Sequence, residues 1–215
     1  MKHLIFPLLF YYMNIITHPT YFPSISHYTS LLQADTITFE IEDNFQKQTN
    51  RNRMYIYSPN GIQMLNIPVK HSKEKHQKYK DIKIENAFGW QKNHFKSLEA
   101  AYRTSPFFEY FEDDLLPIFE QNKTYLMDLN FEIFEIINNC LGISLPFSKT
   151  EEYFHEVTNV TDFRYLANGK KDHFINEPYT QVFEEKKGFI PNLSILDLLF
   201  NEGRHAKEYL LQQKL

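Results

Sequence analysis

Cysteine is almost absent: one residue, Cys140, in a chain of 215. An internal disulfide and a thiolate zinc cluster are therefore excluded, which fits a reducing compartment. With apolar neighbours, Cys140 reads as a core thiol. Net positive charge is also missing. At a formal −4 the chain lacks the basic surface on which general nucleic-acid and anionic-membrane binders rely, so any anion site must be local. Long apolar runs are missing too. Leu4 to Ile16 spans about 13 residues against the roughly 20 a membrane helix needs, and no small-x-small cleavage pattern comes after it. The run is read neither as an export signal nor as a membrane insertion. A short strand starting just after Met13 makes residues 1–12 an N-terminal extension and 13–215 the domain, expected in the cytoplasm.

What is present is the composition of a folded protein. A hydrophobic fraction of 42%, with 20 Phe and 14 Tyr against one Trp, predicts one core built largely from rings. No linker, repeat or low-complexity segment divides the chain. Asn14-Ile15-Ile16-Thr17 reads as a short buried strand. Ser24 to Gln33 reads as a helix, with an N-cap serine and apolar positions at 25, 28, 31 and 32. In Thr36 to Glu42, Ile37, Phe39 and Ile41 alternate with polar residues as a half-buried strand requires. Strand, helix, strand is a βαβ unit, which favours a ligand crevice beyond the carboxyl ends of its strands. That crevice gathers His18, Tyr21 and His27 with the residues just past the second strand.

The second strand runs into Glu42 to Arg53, a stretch holding two carboxylates, three cations and several amides. If Gln48 to Arg53 is extended, Arg51 and Arg53 share one face and Asn50 and Asn52 the other. Two guanidiniums with Lys47 nearby suit a carboxylate, phosphate or anionic sugar, because the planar fork of Arg donates two parallel hydrogen bonds to such groups. The rival is a salt-bridged loop closed by Glu42 and Asp43. Read as a site, Asp43 or His18 is the base, and Tyr21, Asn44, Lys47, Asn50, Arg51, Asn52 and Arg53 bind substrate.

Met54 to Tyr57 and Ile62 to Val69, joined by Ser58-Pro59-Asn60-Gly61, predict a β-hairpin. Lys70 to Lys80 carries five lysines with His71 and His76. It reads as a mobile, solvated loop or, functionally, as a basic flap. The two histidines lack a third ligand, so no metal is expected. Asp81 to Glu85 is strand-like. From Trp90 to Leu141 the period is helical: Trp90, His94, Leu98, Ala101 and Tyr102 form one stripe, which makes His94 a packed residue before a substrate contact. Ser105-Pro106 predicts the start of a second helix, and a third runs from near Thr124 to a stop at Gly142. Beyond it, Phe163 to Leu166 and Tyr179 to Phe183 read as strands. Asn168-Gly169 reads as a tight turn whose amides could take an anion. Ser194-Ile195-Leu196-Asp197 reads as a capping box for a helix closed by Gly203.

His18-Pro-Thr-Tyr-Phe-Pro23, Asp43-Asn44, Asn50-Arg-Asn-Arg53, Trp90 with His94, Tyr102 with Pro106, and Leu193 to Asn201 together resemble the WbqC-like family, over nearly the whole chain after Met13. The likeness is strongest to its Bacteroidetes-type branch. The sequence departs from the family's usual pattern at Pro23 to His27 and at Ala167 to Gly169. The resemblance implies a transferase of surface polysaccharide (O-antigen) biosynthesis, an amino-acid (glycine) transferase acting on a carboxylated or nucleotide-linked sugar. The alternative is a non-catalytic sugar or partner-binding protein using the same pocket. Partners are then small molecules, a sugar or an amino acid, and the cofactor is unknown. A further alternative places Ser24-Ile-Ser-His27 where an HxGH nucleotidyl-transfer motif lies, resting on His27 alone. The expected fold is a single α/β domain, with a mixed sheet built on the βαβ unit, an added hairpin and a flanking helical block.

Overall fold

The computed structural model describes residues 12–71 and 76–215; the expectation for residues 1–11 lies outside them. Strand β1 (Asn14–Thr17) and β2 (Thr36–Phe39) are joined by helix α1 (Ile25–Gln33) and pair in parallel, with Ile15 opposite Ile37. The βαβ unit therefore forms as its apolar spacing predicts. Two later segments complete the sheet: β5 (Phe147–Lys149) outside β2, and β6 (Thr161–Asp162) on the far side of β1. All pairings in this four-stranded sheet are parallel.

The hairpin, β3 (Arg53–Ser58) with β4 (Gly61–Asn66), is a separate antiparallel ribbon, so the α/β domain holds two sheets where a mixed one was expected. It packs instead on the helical block, α2 (Trp90–Tyr102), α3 (Phe108–Glu120) and α4 (Leu126–Leu141), through α2. Gly142, at φ +64°, stops α4 as expected. Helices α5 (Glu184–Lys187), α6 (Ile195–Glu202) and α7 (Ala206–Gln212) come next, and α1 packs on α6 and α7. Gly203 closes α6 at φ +58°, where a Cβ would also lie 2.8 Å from the Phe107 ring.

The core is built from rings. Phe39 meets Phe131, Phe134 and Phe147 nearly edge-on at 5.3, 5.2 and 5.2 Å, the arrangement the aromatic quadrupole prefers. Cys140 is buried. Phe22 stacks on Phe119 although its own backbone is left-handed, at φ +39°. A bulky residue pays for that conformation with strain, on the order of 1–3 kcal/mol.

Several local expectations are corrected. Helix α3 begins at Phe108, after Ser105-Pro106, because the Ser105 hydroxyl turns back to the Tyr102 carbonyl. Phe163 to Leu166 is no strand: Phe163 N–H still bonds Ile16, then the Asp162 carboxylate captures Arg164 N–H and the chain turns into a short 3₁₀ segment, Arg164–Ala167. Asp81 to Glu85 makes only isolated bridges. Tyr179 to Phe183 forms no ladder, since the Gln181 side chain both donates to and accepts from the Ile190 backbone. Nor does Asp197 cap α6. It is fully buried and takes bonds from Tyr102, Tyr179 and Gln181 at 2.7, 2.5 and 2.9 Å. Burial raises its pKa, the three donors opposing.

His27 is also fully enclosed. Its ring nitrogens meet the hydroxyls of Thr17 at 2.7 Å and Thr20 at 3.2 Å. Burial first, and Arg51 second, push its pKa from 6.5 to about 3, and burial lowers that of His94 to about 4. Both rings are neutral in the folded protein, whereas the unfolded chain takes up their protons below about pH 6.5. Stability from these groups is therefore complete above that pH and is lost as pH falls toward the folded values. Each contributes a slope of roughly 1.4 kcal/mol per pH unit. Urea titrations between pH 7 and 4.5 should show His27→Gln with a shallower acid loss than the parent by about one group's slope; equal slopes would contradict the assignment.

Candidate functional site

The carboxyl ends of β1, β2 and β6 open on a cleft of about 260 Å³ lined by His18, Asp43, Gln46, Arg51, Tyr153, Asp162, Arg164, Tyr165, Asn168 and Lys171. Strand β1 leads to β2 on one side while β6 enters on the other. The cleft thus sits at the reversal of strand order, where crevices open in α/β sheets. His18 is the residue after β1, and Arg164 lies two residues past β6.

Arg51 is the hub. It is 2% exposed, and its Nη2 donates to Asp43 Oδ2 at 2.9 Å and to His18 Nε2 at 2.7 Å. A guanidinium cannot accept, so His18 Nε2 carries the lone pair and Nδ1 the proton, given to the Glu40 carbonyl at 3.3 Å. Burial, then the Arg51 charge, hold the His18 pKa well below 6.5. Asp43 Oδ2 stands 3.4 Å from His18 Nε2. The Tyr79 ring lies 5.5 Å from the guanidinium, and Tyr79 is itself tied to Pro19 and Asn130. Arg51 Nε is buried with no hydrogen-bond partner among the described residues.

Arg164 forms the opposite wall. It donates to Asp162 through Nε and Nη2 and to the carbonyls of Phe154 and His155. Behind it Glu40 is fully buried; Oε1 accepts from Glu42 N–H and Thr150, while Oε2 has no hydrogen-bond partner among the described residues and stands 3.8 Å from Arg164. Lys171 lines the cleft and pairs with no carboxylate among the described residues. Tyr153 and Tyr165, 41% and 45% exposed, flank the opening. Among the described residues no cluster of three or more His, Cys, Asp or Glu is arranged to hold a metal ion.

Of the candidates read from the sequence, His18, Asp43 and Arg51 come together here. The others do not. Gln48 is left-handed at φ +62° and Thr49 to Asn52 is a turn, so Arg51 and Arg53 do not share a strand face. Arg53 and Lys47 line other clefts. Asn52 ties Asn66 and Ile67, and the Asn50 backbone joins Tyr21 to Ala167, so both are structural. Tyr21 is fully buried with its hydroxyl on His94 at 2.8 Å, behind the site. Asn44 contributes its N–H to Asp43 Oδ1. His27, enclosed by two threonines, does not support the nucleotidyl-transfer alternative. The end of the basic loop is not a free flap either: Tyr79 is buried, Lys78 donates to the Glu42 carbonyl and Lys80 pairs with Glu42 at 2.5 Å. Arg164, Asp162 and Lys171 were not legible in sequence, because nothing local shows that Thr161–Asp162 pairs with β1.

Fold and cleft together define an α/β protein with a polar, aromatic-rimmed crevice at the carboxyl edge of a parallel sheet. The chain belongs to the WbqC-like protein family, whose model matches residues 18–178 and again 159–209. It is similar to the uncharacterized protein Rv1507c of Mycobacterium tuberculosis (strain ATCC 25618 / H37Rv), 28% identical over 225 residues that cover 91% of this chain and 96% of the relative. No solved structure matches it. No helix among the described residues is long and apolar enough to cross a membrane.

The two arginines should separate in stability. Removing the Arg51 side chain leaves Asp43 buried and unpaired, which costs roughly 3–5 kcal/mol, whereas Arg53 is half-buried and among the described residues joins only Asn66, at 3.2 Å. In denaturant titrations Arg51→Ala should lose several kcal/mol and Arg53→Ala less than about 1. Equal, small losses would show that Arg51 is not the hub.

Proposed function

We propose that this protein is a cytoplasmic transferase of surface polysaccharide biosynthesis that delivers an amino-acid group to a carboxylated or nucleotide-linked sugar. The observation that carries the reading is the meeting of a neutral His18, an Asp43 carboxylate and the Arg51 guanidinium in one cleft at the sheet's carboxyl edge. Alternating cations and carboxylates suit a ligand rich in hydroxyls, the Tyr153 and Tyr165 rings offer faces for a sugar ring, and Lys171 offers a cation for its anionic group. His18 is kept unprotonated by burial and by Arg51, and its Nε2 lone pair takes a proton from an incoming amine once Arg51 Nη2, which now donates to it at 2.7 Å, turns wholly to Asp43. Asp43, 3.4 Å away, then stabilises the imidazolium; the bond broken is the sugar–phosphate bond of a nucleotide-linked sugar, which releases the nucleotide, or the acyl–phosphate bond of a sugar carboxylate first activated by a nucleoside triphosphate.

A second reading, a sugar-binding protein without turnover, is favoured by one contact: Arg51 already occupies the His18 lone pair. The test is to screen the purified protein against uronic acids and nucleotide sugars by calorimetry, and then to measure transfer with amino acids present, with and without ATP. For the transferase, His18→Gln and Asp43→Asn should each lower turnover by about 100-fold or more while ligand affinity stays within about threefold. The acid limb of its rate profile should lie below pH 6.5, because the His18 pKa is depressed. Ligand binding without turnover in the parent protein would establish the second reading, and no binding of any sugar would end both.

A further inference from the structure

Arg53, separated from the cleft just described, heads another. That cleft, about 300 Å³, is lined by Arg53 and Lys170, with Phe22, Met54, Ile62 and Leu193 among its apolar walls, and it shares no lining residue with the first. Asn50 lines it and packs against Gly169, on the turn that separates the two: a Cβ there would make ordinary contact with Asn50 Oδ1, at 3.4 Å.

Three observations point to a ligand. First, the cations are unmatched. Among the described residues no carboxylate pairs with Arg53 or Lys170, and Arg53 commits only Nε, to Asn66 at 3.2 Å. Second, the one acid in the cleft is spent. Asp172 Oδ2 accepts from Ser26 at 2.5 Å, Asn192 at 2.8 Å and Ser24 at 3.5 Å, and Oδ1 accepts from Phe174 N–H. Held by these neutral donors at both oxygens, it is poorly placed to fold back onto the cations. Third, strain concentrates here. Four non-glycine residues among those described have positive φ, and three of them, Phe22, Gln48 and Asn192, line this cleft. Such conformations persist where the surrounding structure enforces them, and they gather at ligand sites.

We infer that this cleft is a second ligand site, taking a small carboxylate or phosphate ester on an apolar or planar body. The anion lies on Arg53 and Lys170, whose donors suit such groups, and the body lies against Phe22, Met54 and Leu193. An acceptor and a donor bound in adjacent clefts would meet across Asn50 and the 168–171 turn, but the second site stands whether or not the first is catalytic.

The test uses the full chain with phenyl phosphate and phenylacetate as probes and inorganic phosphate and acetate as controls, by calorimetry. At least one aryl probe should bind about tenfold or more tightly than its bare anion, and Arg53→Gln and Lys170→Gln should each weaken it about tenfold or more. Arg164→Gln, in the first cleft, and Lys47→Gln, in the open groove on the other side of Arg53, should leave it unchanged. Circular dichroism confirms that each variant is folded. The proposal is overturned if no aryl probe binds, if the bare anions bind as well, if Arg53→Gln binds like the parent, or if Lys47→Gln or Arg164→Gln carries the loss instead.

Discussion

A guanidinium taken out of water sets the terms for this structure. Arg51 is among the largest fully buried side chains, and burial lowers its pKa while Tyr79 and Asp43 raise it. An ion of that kind is tolerated only with a partner carboxylate and further hydrogen bonds. Asp43 supplies the charge and His18 the second acceptor. Asn130 holds the Arg51 carbonyl at 2.8 Å and donates to the Tyr79 hydroxyl at 2.5 Å, so helix α4 steadies the same residue from below. The βαβ unit, the loop after β2 and the helical block therefore meet on one charge. The Arg51 Nε has no hydrogen-bond partner among the described residues.

That incompleteness separates this cluster from the other buried carboxylate. Asp197 is as deeply enclosed as anything in the chain, yet its oxygens are matched by two hydroxyls and an amide that tie α6 to α2 and to the segment before α5. It is a cross-brace. Glu40 and Arg51 differ: each keeps a buried polar atom without a partner among the described residues, and they stand on either side of His18, which bonds the Glu40 carbonyl through Nδ1 and Arg51 through Nε2. Burial alone does not mark function, because both kinds of site are buried. What sets Glu40 and Arg51 apart from Asp197 is unspent hydrogen-bonding capacity next to an open cleft, since Asn52 Oδ1 and Asn130 Oδ1 are also unpartnered among the described residues but line no part of that cleft.

Much of the fold was legible in the chain, and the reason is local. Ile37 sits in a run whose period is two, Ile15 in a short apolar run, and α1 in a run of helical spacing, so β1, α1 and β2 come from pattern; Gly142 and Gly203 stop helices because only glycine sits easily at their positive φ. His18 and Asp43 come from the same step, since carboxyl ends of parallel strands are predictable once the strands are. What failed depended on distant contacts. That Thr161–Asp162 is a strand at all is decided by Ile15 and Ile16, far away in sequence, before Asp162 turns the chain at Arg164. Whether Arg51 and Arg53 share a face is decided by the left-handed Gln48 and by Asn130. Local alternation cannot encode either.

The split between the arginines is the consequence with most reach. Had Gln48 to Arg53 been extended, both guanidiniums would have faced one anion and repelled each other without it. The turn at Thr49 to Asn52 gives each its own surroundings, one buried against Asp43 and one half-buried with Asn66. The same turn carries the Asn50 backbone, which accepts from Tyr21 and donates to Ala167 at 2.9 and 2.7 Å. One residue therefore ties the wall between two clefts on both sides. A shift of Asn50 would disturb the Tyr21 and Ala167 contacts together.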